Sequence, residues 1–491
     1  MYNKMMLLKD LLKNVEVKEI VGRADIEIVS ISQDSRDSSF ENGLYFAVKG
    51  TQVDGHGFIV EVIQKKAIAI VCENIQEATL ENVTYVVVEN SRQIVGEVAS
   101  NFYGNPSQEL KIIAVTGTNG KTSIASYAAE ALGKLREKVL LLSTAGDYFN
   151  GKSITLDRKA PSSLESIELQ RVLREYVDMD ASYVCLEATS QGLDQDRLSG
   201  VDIDVAIFAN LGQDHLDYHK TLDHYGSSKK LLFDNLKPTA LAISNYDDEF
   251  GQKILKDTQG RIVSYGSQTN YDFSFTIEKR ELGSIAVNFN QTELILPVIG
   301  EFNIYNILAV YGALVELGYD AEKTISILQE LNGVPGRMQQ IPNSKGILAL
   351  VDYAHSPGAL ENVLRSLKSL PHGNITTIIG CGGDRDRTKR APMASVVQKL
   401  SNNAIYTADN PRTEELNQIF EDMREGVDSK KENYKFIENR EEAIKYAVEN
   451  SMAGDVIVVA GKGHEDYQII GVEKNHFDDS EVLEKYLNII N

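Results

Sequence analysis

Only three cysteines, Cys72, Cys185 and Cys381, occur in the 491 residues, far apart and each inside or beside an apolar run. No Cys-x-x-Cys pair occurs, which argues against a disulfide framework and against a structural zinc site built on thiolates. Basic residues are in deficit: 50 Lys and Arg stand against 71 Asp and Glu, for a formal charge of −21. That balance excludes a general nucleic-acid binder, which carries a basic face. A local cluster of Arg and Lys can still reverse the field inside one cleft, so anionic small substrates stay open. No apolar run approaches the roughly 18 residues that span a bilayer, and the opening MYNKMMLLKDLLKN has too short an apolar core for a signal peptide. The expectation is a cytoplasmic protein without membrane or nucleic-acid partners. Internal repeats, low-complexity tracts and heptads are also lacking.

Apolar residues make up 42 % of the chain, enough for two to four packed domains at this length. Short β-branched apolar runs alternate with helix-length amphipathic stretches, the pattern of strand–helix units and parallel sheets. Three α/β blocks are expected. Residues 1–107 hold candidate strands at GLYFAVKG, AIAIVCE and TYVVVEN and close at Asn105-Pro106-Ser107. Residues 108–335 hold IIAVTG, VLLLST, YVCLEAT, DVAIFAN and LAISN, ending near Gly333-Val334-Pro335-Gly336. Residues 336–491 hold ILALVDYAH, ITTIIG, NAIYTAD and DVIVVAG. In the second and third blocks, polar and Gly-rich clusters follow the strands: TGTNGKT, EATSQ, NLGQDH, VDYAH, GCGGDRD, DNPR and GKGHE. Ligands of open α/β sheets bind at the carboxyl ends of strands, and so many clusters exceed what turns require. They imply two facing active-site edges.

The strongest local signal is Gly117-Thr118-Asn119-Gly120-Lys121-Thr122, between the strand IIAV and the helix-like SIASYAAEALG. Glycines let the backbone wrap a phosphate, the helix N-terminus and Lys121 offset its charge, and Thr122 offers a hydroxyl to magnesium. Val115 stands where the common phosphate-loop spacing has its first glycine. Glu187 ends YVCLE; a carboxylate behind a buried strand is costly unless paired or bound to a cation, and triphosphate chemistry needs magnesium. The stretch Gln213-Asp214-His215-Leu216-Asp217-Tyr218-His219 has metal-ligating residue types, but its spacing leaves a metal site and a polar loop equally open. Lys229 and Lys230, adjacent in a helix with an apolar face, read from the residues alone as a solvated flank. In GCGGDRDRTKR, Arg385 replaces the third glycine of a dinucleotide fingerprint and suits a carboxylate or phosphate. Asp409-Asn410-Pro411-Arg412 could hold a zwitterion, the acid on an ammonium and the guanidinium on a carboxylate; it also fits an N-cap and turn.

GTNGKT, LEATS, DHLDYH, YGSSKKLLF, GEFNIYN, GVPGRMQ, VDYAH, GCGGDRD, DNPR and GKGHE occur here in the order of the Mur ligases, over about residues 34 to 465. The chain resembles that family, and within it the members that add the third residue of the muramoyl peptide. The resemblance implies a UDP-substrate-binding domain, a central ATPase domain and a C-terminal Rossmann-like domain. It implies an ADP-forming ligase of peptidoglycan precursor synthesis that joins an amino acid to UDP-N-acetylmuramoyl-L-alanyl-D-glutamate through an acyl phosphate, working as a monomer. It places Ser35 and the loop Gly50–Gly55 on the uridine side, and Thr122, Glu187 and His215 on magnesium. Lys229 falls where the family carries a lysine carbamylated by carbon dioxide, which reverses the reading of that residue as a solvated flank. Asn306, Arg337, Asp352 and His355 match nucleotide-contact positions. Thr189, Gln195 and Arg197 match positions on the muramoyl peptide, and Arg385, Asp409, Asn410, Arg412, Gly461 and Glu465 those on the incoming amino acid. DNPR is the form of members that add meso-diaminopimelate: Arg412 can pair with the distal carboxylate and repel the bare ammonium of lysine. The chain departs from the family at Lys159-Ala160-Pro161, Gln191, Ser356-Pro357-Gly358 and Thr413–Leu416. Other readings are a ligase for lysine, for an archaeal wall precursor or for folylpolyglutamate, and a nucleotide-binding switch without ligation.

Overall fold

The computed structural model describes residues 5–37, 40–50, 53–75, 82–156, 158 and 163–488. The expected loop Gly50–Gly55 falls partly, and the segment Lys159-Ala160-Pro161 wholly, outside the described residues. The chain divides into two compact units, Met1–Tyr265 and Gly266–Asn491. Among the described residues no helix is long and apolar enough to cross a membrane.

The first unit opens with a five-stranded sheet in the order Glu19–Val21, Thr84–Val87, Ala67–Cys72, Gly43–Phe46, Ser30–Ser32. All its pairings are parallel except that of Glu19–Val21. Its faces are apolar on both sides, as parallel strands require: Leu44, Phe46, Ala69, Val71 and Val86 pack on Val95 and Val98 of the helix Ser91–Phe102, while Tyr45, Ile70 and Cys72 face Ile59 and Val62.

The larger sheet of this unit runs Val139–Ser143, Tyr183–Glu187, Lys111–Thr116, Val205–Phe208, Leu241–Asn245, all parallel. Lys111–Thr116 comes first in the chain yet sits at the centre, with later strands added on both sides. Such a reversal of strand order opens a crevice at the carboxyl edge. Register sets Glu187 beside Val115 and Phe208 beside Thr116, so the segments after these strands emerge at one level. An antiparallel hairpin, Gly146–Phe149 with Lys152–Ile154, extends the sheet past Val139–Ser143.

The second unit holds an antiparallel meander, Phe273–Glu281, Ser284–Phe289 and Thr292–Leu296, with the buried helix Glu301–Glu316. Its main sheet has the order Gln339–Ile341, Leu348–Asp352, Val456–Ala460, Ile375–Ile379, Asn403–Tyr406, Tyr434–Phe436, parallel except for Gln339–Ile341. Asp352, Ile379 and Ala460 are in register. The helices on its faces start on side-chain caps: Ser356 before Pro357–Lys368, Asn439 before Arg440–Glu449 and Asp478 before Asp479–Leu487.

A fully buried ion pair ties these carboxyl ends together. Arg440 Nε and Nη2 donate to the two oxygens of Asp479, each at 2.7 Å. The same guanidinium donates to the carbonyls of Ala408 at 3.3 Å and Ala460 at 3.0 Å. Arg440→Met leaves a buried carboxylate uncompensated and two strand-end carbonyls without their donor. The expected loss is about 3–5 kcal/mol of stability, read as a lower urea midpoint for the second unit. The paired change Arg440→Met with Asp479→Leu should recover most of it.

Candidate active site

In the first unit the sheet's carboxyl edge gathers the residues of the phosphate loop. Gly120 adopts φ +88° directly before the helix Lys121–Lys134, a conformation only glycine takes without strain. Asn210, after the strand Val205–Phe208, braces the loop: its carbonyl accepts from Thr118 N at 2.9 Å, its Oδ1 from Asn119 N at 3.0 Å, and its Nδ2 donates to Asn119 O at 3.1 Å.

Lys121 Nζ donates to the carbonyls of Gly117 and Thr118, both at 2.9 Å. Lys229, in the helix Leu222–Asp234, is buried and donates to the same Gly117 carbonyl at 2.8 Å. Its ammonium lies 4.3 Å from the ring centroid of Tyr225. Burial first, and then the charge of Lys121, push the Lys229 amine well below the ordinary lysine value. The two adjacent lysines thus differ: Lys229 is buried with its charge disfavoured, whereas Lys230 turns outward to Asp234 and Asp257.

Glu187 is buried at the end of its strand, and one oxygen, Oε1, accepts from Thr144 N at 2.8 Å and Thr144 Oγ1 at 3.0 Å. Thr144 Oγ1 is 3.1 Å from Thr122 Oγ1. Among the described residues the second oxygen of Glu187 takes no hydrogen bond. Two hydroxyls and a half-used carboxylate beside a phosphate loop are the hard oxygen donors that magnesium selects, so the residues fit that ion. His215 caps the short helix Leu216–His219 in the left-handed conformation, φ +52°, and is exposed, with its ring 6.2 Å from that of Tyr225.

Beside this edge lies a second polar network. Thr189 caps the helix Ser190–Asp194, accepting from Gly192 N at 3.1 Å, and its hydroxyl meets Ser163 Oγ at 2.9 Å. Arg197 donates from Nη1 to Ser163 O at 2.9 Å and from Nη2 to Gln195 Oε1 at 2.9 Å, and Nη2 pairs with Glu165 at 2.9 Å. Its Nε is buried without a partner among the described residues. Gln195 Nε2 donates to the hydroxyl of Tyr218 at 3.1 Å. The carbonyl of Ser35 accepts from Lys65 Nζ at 2.6 Å, and Gln33, two residues before it, donates from Nε2 to Glu165 Oε2 at 3.0 Å, the carboxylate that pairs with Arg197.

In the second unit the sequence candidates form two groups. Asp352 is buried, and its oxygens accept from Met338 N and Ala354 N, both at 2.8 Å; burial raises its pKa, partly countered by the Met338 N–H and Arg337. Arg337 stacks 4.6 Å over the ring of Tyr353, with Nε buried and unpartnered among the described residues. His355 is exposed, and Asn306 lies in the core of its helix, donating to Asn303 Oδ1 at 3.1 Å.

The other group joins the ends of Asn403–Tyr406 and Val456–Ala460. Asn410 Nδ2 donates to Glu465 Oε2 at 2.9 Å, and its Oδ1 accepts from Ile469 N at 2.9 Å. Lys462, fully buried, reaches Glu465 at 3.2 Å. Gly461 has φ +107°, and a Cβ there would stand 3.0 Å from Asp409 Oδ2. Arg412, at φ +54°, donates from Nη1 to Gly383 O at 2.8 Å. Among the described residues its Nε and Nη2 have no hydrogen bond, so the edge of the guanidinium that binds carboxylates in bidentate fashion is open. Arg385 is exposed nearby in the sequence of the GCGGDRD loop. That loop is anchored by Arg390, buried against Glu414 and Asp422 and donating to Gly382 O at 3.0 Å.

Sequence reasoning missed Thr144, Asn210 and Arg390 as participants, and left Lys462 inside GKGHE without a role. Thr144 directly follows a strand, Asn210 stands two residues after one, and Lys462 follows Gly461, which is the signal that could have found them; Arg390, the first residue of the helix Arg390–Leu400, carries no such signal.

Family models match most of the chain in three segments: the Mur ligase family catalytic domain over residues 27–103, the Mur ligase middle domain over 115–314, and the Mur ligase glutamate ligase domain over 336–463. A protein of Bacteroides thetaiotaomicron named UDP-N-acetylmuramoyl-L-alanyl-D-glutamate--2,6-diaminopimelate ligase is 40 % identical over 487 residues, covering 98 % of this chain and 100 % of its own. A Clostridioides difficile protein of the same name is 39 % identical over 490 residues, covering 98 % and 100 %. A solved structure bearing that name aligns with TM-score 0.72 at 32 % identity, over 99 % of both chains. The MurF ligase of Thermotoga maritima, solved in complex with ADP, shares the fold with TM-score 0.59 at 18 % identity, over 93 % of this chain and 96 % of its own. The chain belongs to the Mur ligase family.

Proposed function

We propose that this ligase adds meso-diaminopimelate to UDP-N-acetylmuramoyl-L-alanyl-D-glutamate at the expense of ATP, a cytoplasmic step of peptidoglycan precursor synthesis performed by a monomer. The observation that carries the reading is the convergence of Lys121 and a buried, charge-suppressed Lys229 on the Gly117 carbonyl, beside the half-used carboxylate of Glu187. The names of relatives matching over the whole chain support the same acceptor and amino acid. In this reading residues 1–107 bind the UDP end, with Ser35 on the uridine; 108–335 bind ATP and the peptide; 336–491 bind the amino acid.

The N–H groups of residues 117–122 and Lys121 bind the triphosphate, while Asn306, Arg337, Asp352 and His355 serve the rest of the nucleotide. Thr189, Gln195 and Arg197 hold the peptide so that its terminal carboxylate is presented to the γ-phosphorus. Attack breaks the bond to ADP and leaves an acyl phosphate; positioning and offset charge account for the rate. Lys229, whose burial favours the uncharged amine, adds to carbon dioxide and loses a proton, which leaves a carbamate anion at that position. Magnesium held by Thr122, Glu187, His215 and that carbamate would neutralise charge on the transferring phosphoryl group. In the second unit Asp409, Asn410, Gly461 and Glu465 orient the amino acid's ammonium end, and Arg385 and Arg412 its carboxylates. The amine attacks the acyl carbon, phosphate departs, and the amide forms.

Phosphate release from ATP tests the reading. It should require UDP-N-acetylmuramoyl-L-alanyl-D-glutamate and meso-diaminopimelate together, and be at least tenfold slower with L-lysine, the order of one charge-assisted contact. Preference for L-lysine would overturn the amino acid; silence with both would overturn the acceptor.

A further inference from the structure

Three side chains outside every role assigned above meet beside the peptide-contact network. Asp194 ends the helix Ser190–Asp194, His219 ends Leu216–His219, and His224 lies in the first turn of Leu222–Asp234. One donor atom from each lies within 4.8 Å of the others. His219 stands in the motif DHLDYH, whereas Asp194 and His224 belong to none of the motifs shared with the family.

His219 Nε2 is 3.0 Å from Ser190 Oγ, and His224 Nδ1 is 3.2 Å from the carbonyl oxygen of His219. With those partners accepting the ring N–H groups, His224 Nε2 keeps its lone pair, and so does His219 Nδ1, which lies 3.3 Å from His224 Nδ1 and 3.4 Å from Ser228 Oγ. His224 Nε2 then faces Asp194 Oδ1 at 3.3 Å, acceptor against acceptor. Asp194 is itself oriented by the Tyr218 hydroxyl on Oδ2 at 2.8 Å, and the Ser228 hydroxyl, 2.9 Å from the carbonyl oxygen of His224, lies 3.2 Å from its Oδ1. An imidazole whose second nitrogen is held by a hydroxyl or carbonyl, and a carboxylate held by hydroxyls, is the usual outer support of a bound metal. Donors on tetrahedral zinc at about 2.0–2.2 Å stand roughly 3.4 Å apart; the His224 Nε2–Asp194 Oδ1 pair already has that spacing at 3.3 Å, and the remaining spacings, within 4.8 Å, close by small side-chain rotations.

We propose that Asp194, His219 and His224 form a binding site for a zinc-class divalent cation, separate from the magnesium residues. Two imidazoles and one carboxylate favour zinc or cobalt over magnesium. His219 is buried while His224 is half-exposed, which leaves a coordination position to water. The ion would clamp the helix capped by Thr189 to the helix that carries Lys229, fixing the peptide-contact residues against the phosphate loop.

Equilibrium dialysis of the chelator-stripped, full-length protein against Zn2+, in saturating Mg2+, tests this. One Zn2+ per chain is expected, with affinity falling roughly 10- to 100-fold in both His224→Ala and Asp194→Asn. Co2+ in place of zinc should give tetrahedral visible bands in the wild type and in His215→Ala, and lose them in His224→Ala. Zinc should raise the unfolding midpoint of the wild type and leave that of His224→Ala unmoved. His224→Gln, with the same surface position, guards against loss of folding, checked by circular dichroism. No stoichiometric zinc in the wild type, equal binding by His224→Ala or His224→Gln, or loss of binding in His215→Ala would each overturn the site.

Discussion

Lys229→Met is expected to lower turnover by about three orders of magnitude, the range seen when a group acting on transition-state charge is removed. Methionine nearly matches the aliphatic stem, and burying it carries none of the cost of burying an ammonium, so the fold should hold. The effect belongs in kcat rather than in the constant for ATP, because Lys121 and the loop N–H groups still bind the triphosphate. A second measurement separates a carbamate from a plain lysine. Depleting carbon dioxide should slow the native enzyme, and bicarbonate should restore it, while Lys229→Met ignores both. The sign with pH follows from the amine. Burial and Lys121 hold its pKa below the ordinary value, so the neutral form that accepts carbon dioxide prevails above that lowered pKa. Activity should therefore fall as the solution is acidified through it. If Lys229→Met keeps more than a tenth of native turnover, the lysine is only a packing element.

Residue 229 also marks the limit of what a sequence displays. Lys229 and Lys230 are neighbours of identical type, and helical periodicity alone decides which faces inward. One is buried on the Gly117 carbonyl and the other pairs with Asp234 and Asp257 at the surface. Their fates depend on which helix face meets the phosphate loop, a contact between segments more than a hundred residues apart. His215 and His219 separate for a similar reason: one chain turn sends the first to the exposed cap and the second to a buried position beside the exposed His224.

The strands were legible because buried parallel strands are continuous apolar runs. The clusters behind them were legible because polar residues there have little other use. Strand order was not legible, since pairing Lys111–Thr116 with both Tyr183–Glu187 and Val205–Phe208 is non-local. The hairpin after Val139–Ser143 escaped notice although Asn150-Gly151, both at positive φ, is a strong turn signal; its strands are too short and half-exposed to stand out as apolar runs. Thr144 escaped because a threonine at a strand end has no distinguishing residue type, yet it is the group that orients Glu187.

Arg412→Ala is expected to raise the KM for meso-diaminopimelate by roughly 100-fold, about 2.7 kcal/mol, the worth of a charge-assisted bidentate contact. The KM for ATP should change less than twofold, about 0.4 kcal/mol, because the residue serves the amino acid alone. Among the described residues only Nη1 is committed, to Gly383 O at 2.8 Å and, at the long limit of 3.5 Å, to Asn410 O, so truncation removes one good internal hydrogen bond and one weak one, and the stability cost should stay at about 1 kcal/mol. Arg412→Lys should rescue little, since a point charge cannot reproduce the planar fork. Selectivity supplies the sharper test. Removing the guanidinium deletes attraction for the distal carboxylate and repulsion of lysine's ammonium together, so discrimination should fall by more than the loss for diaminopimelate alone. A variant that loses both amino acids equally would mean that Arg412 holds the α-carboxylate they share, and the distal carboxylate would then have to be sought at Arg385.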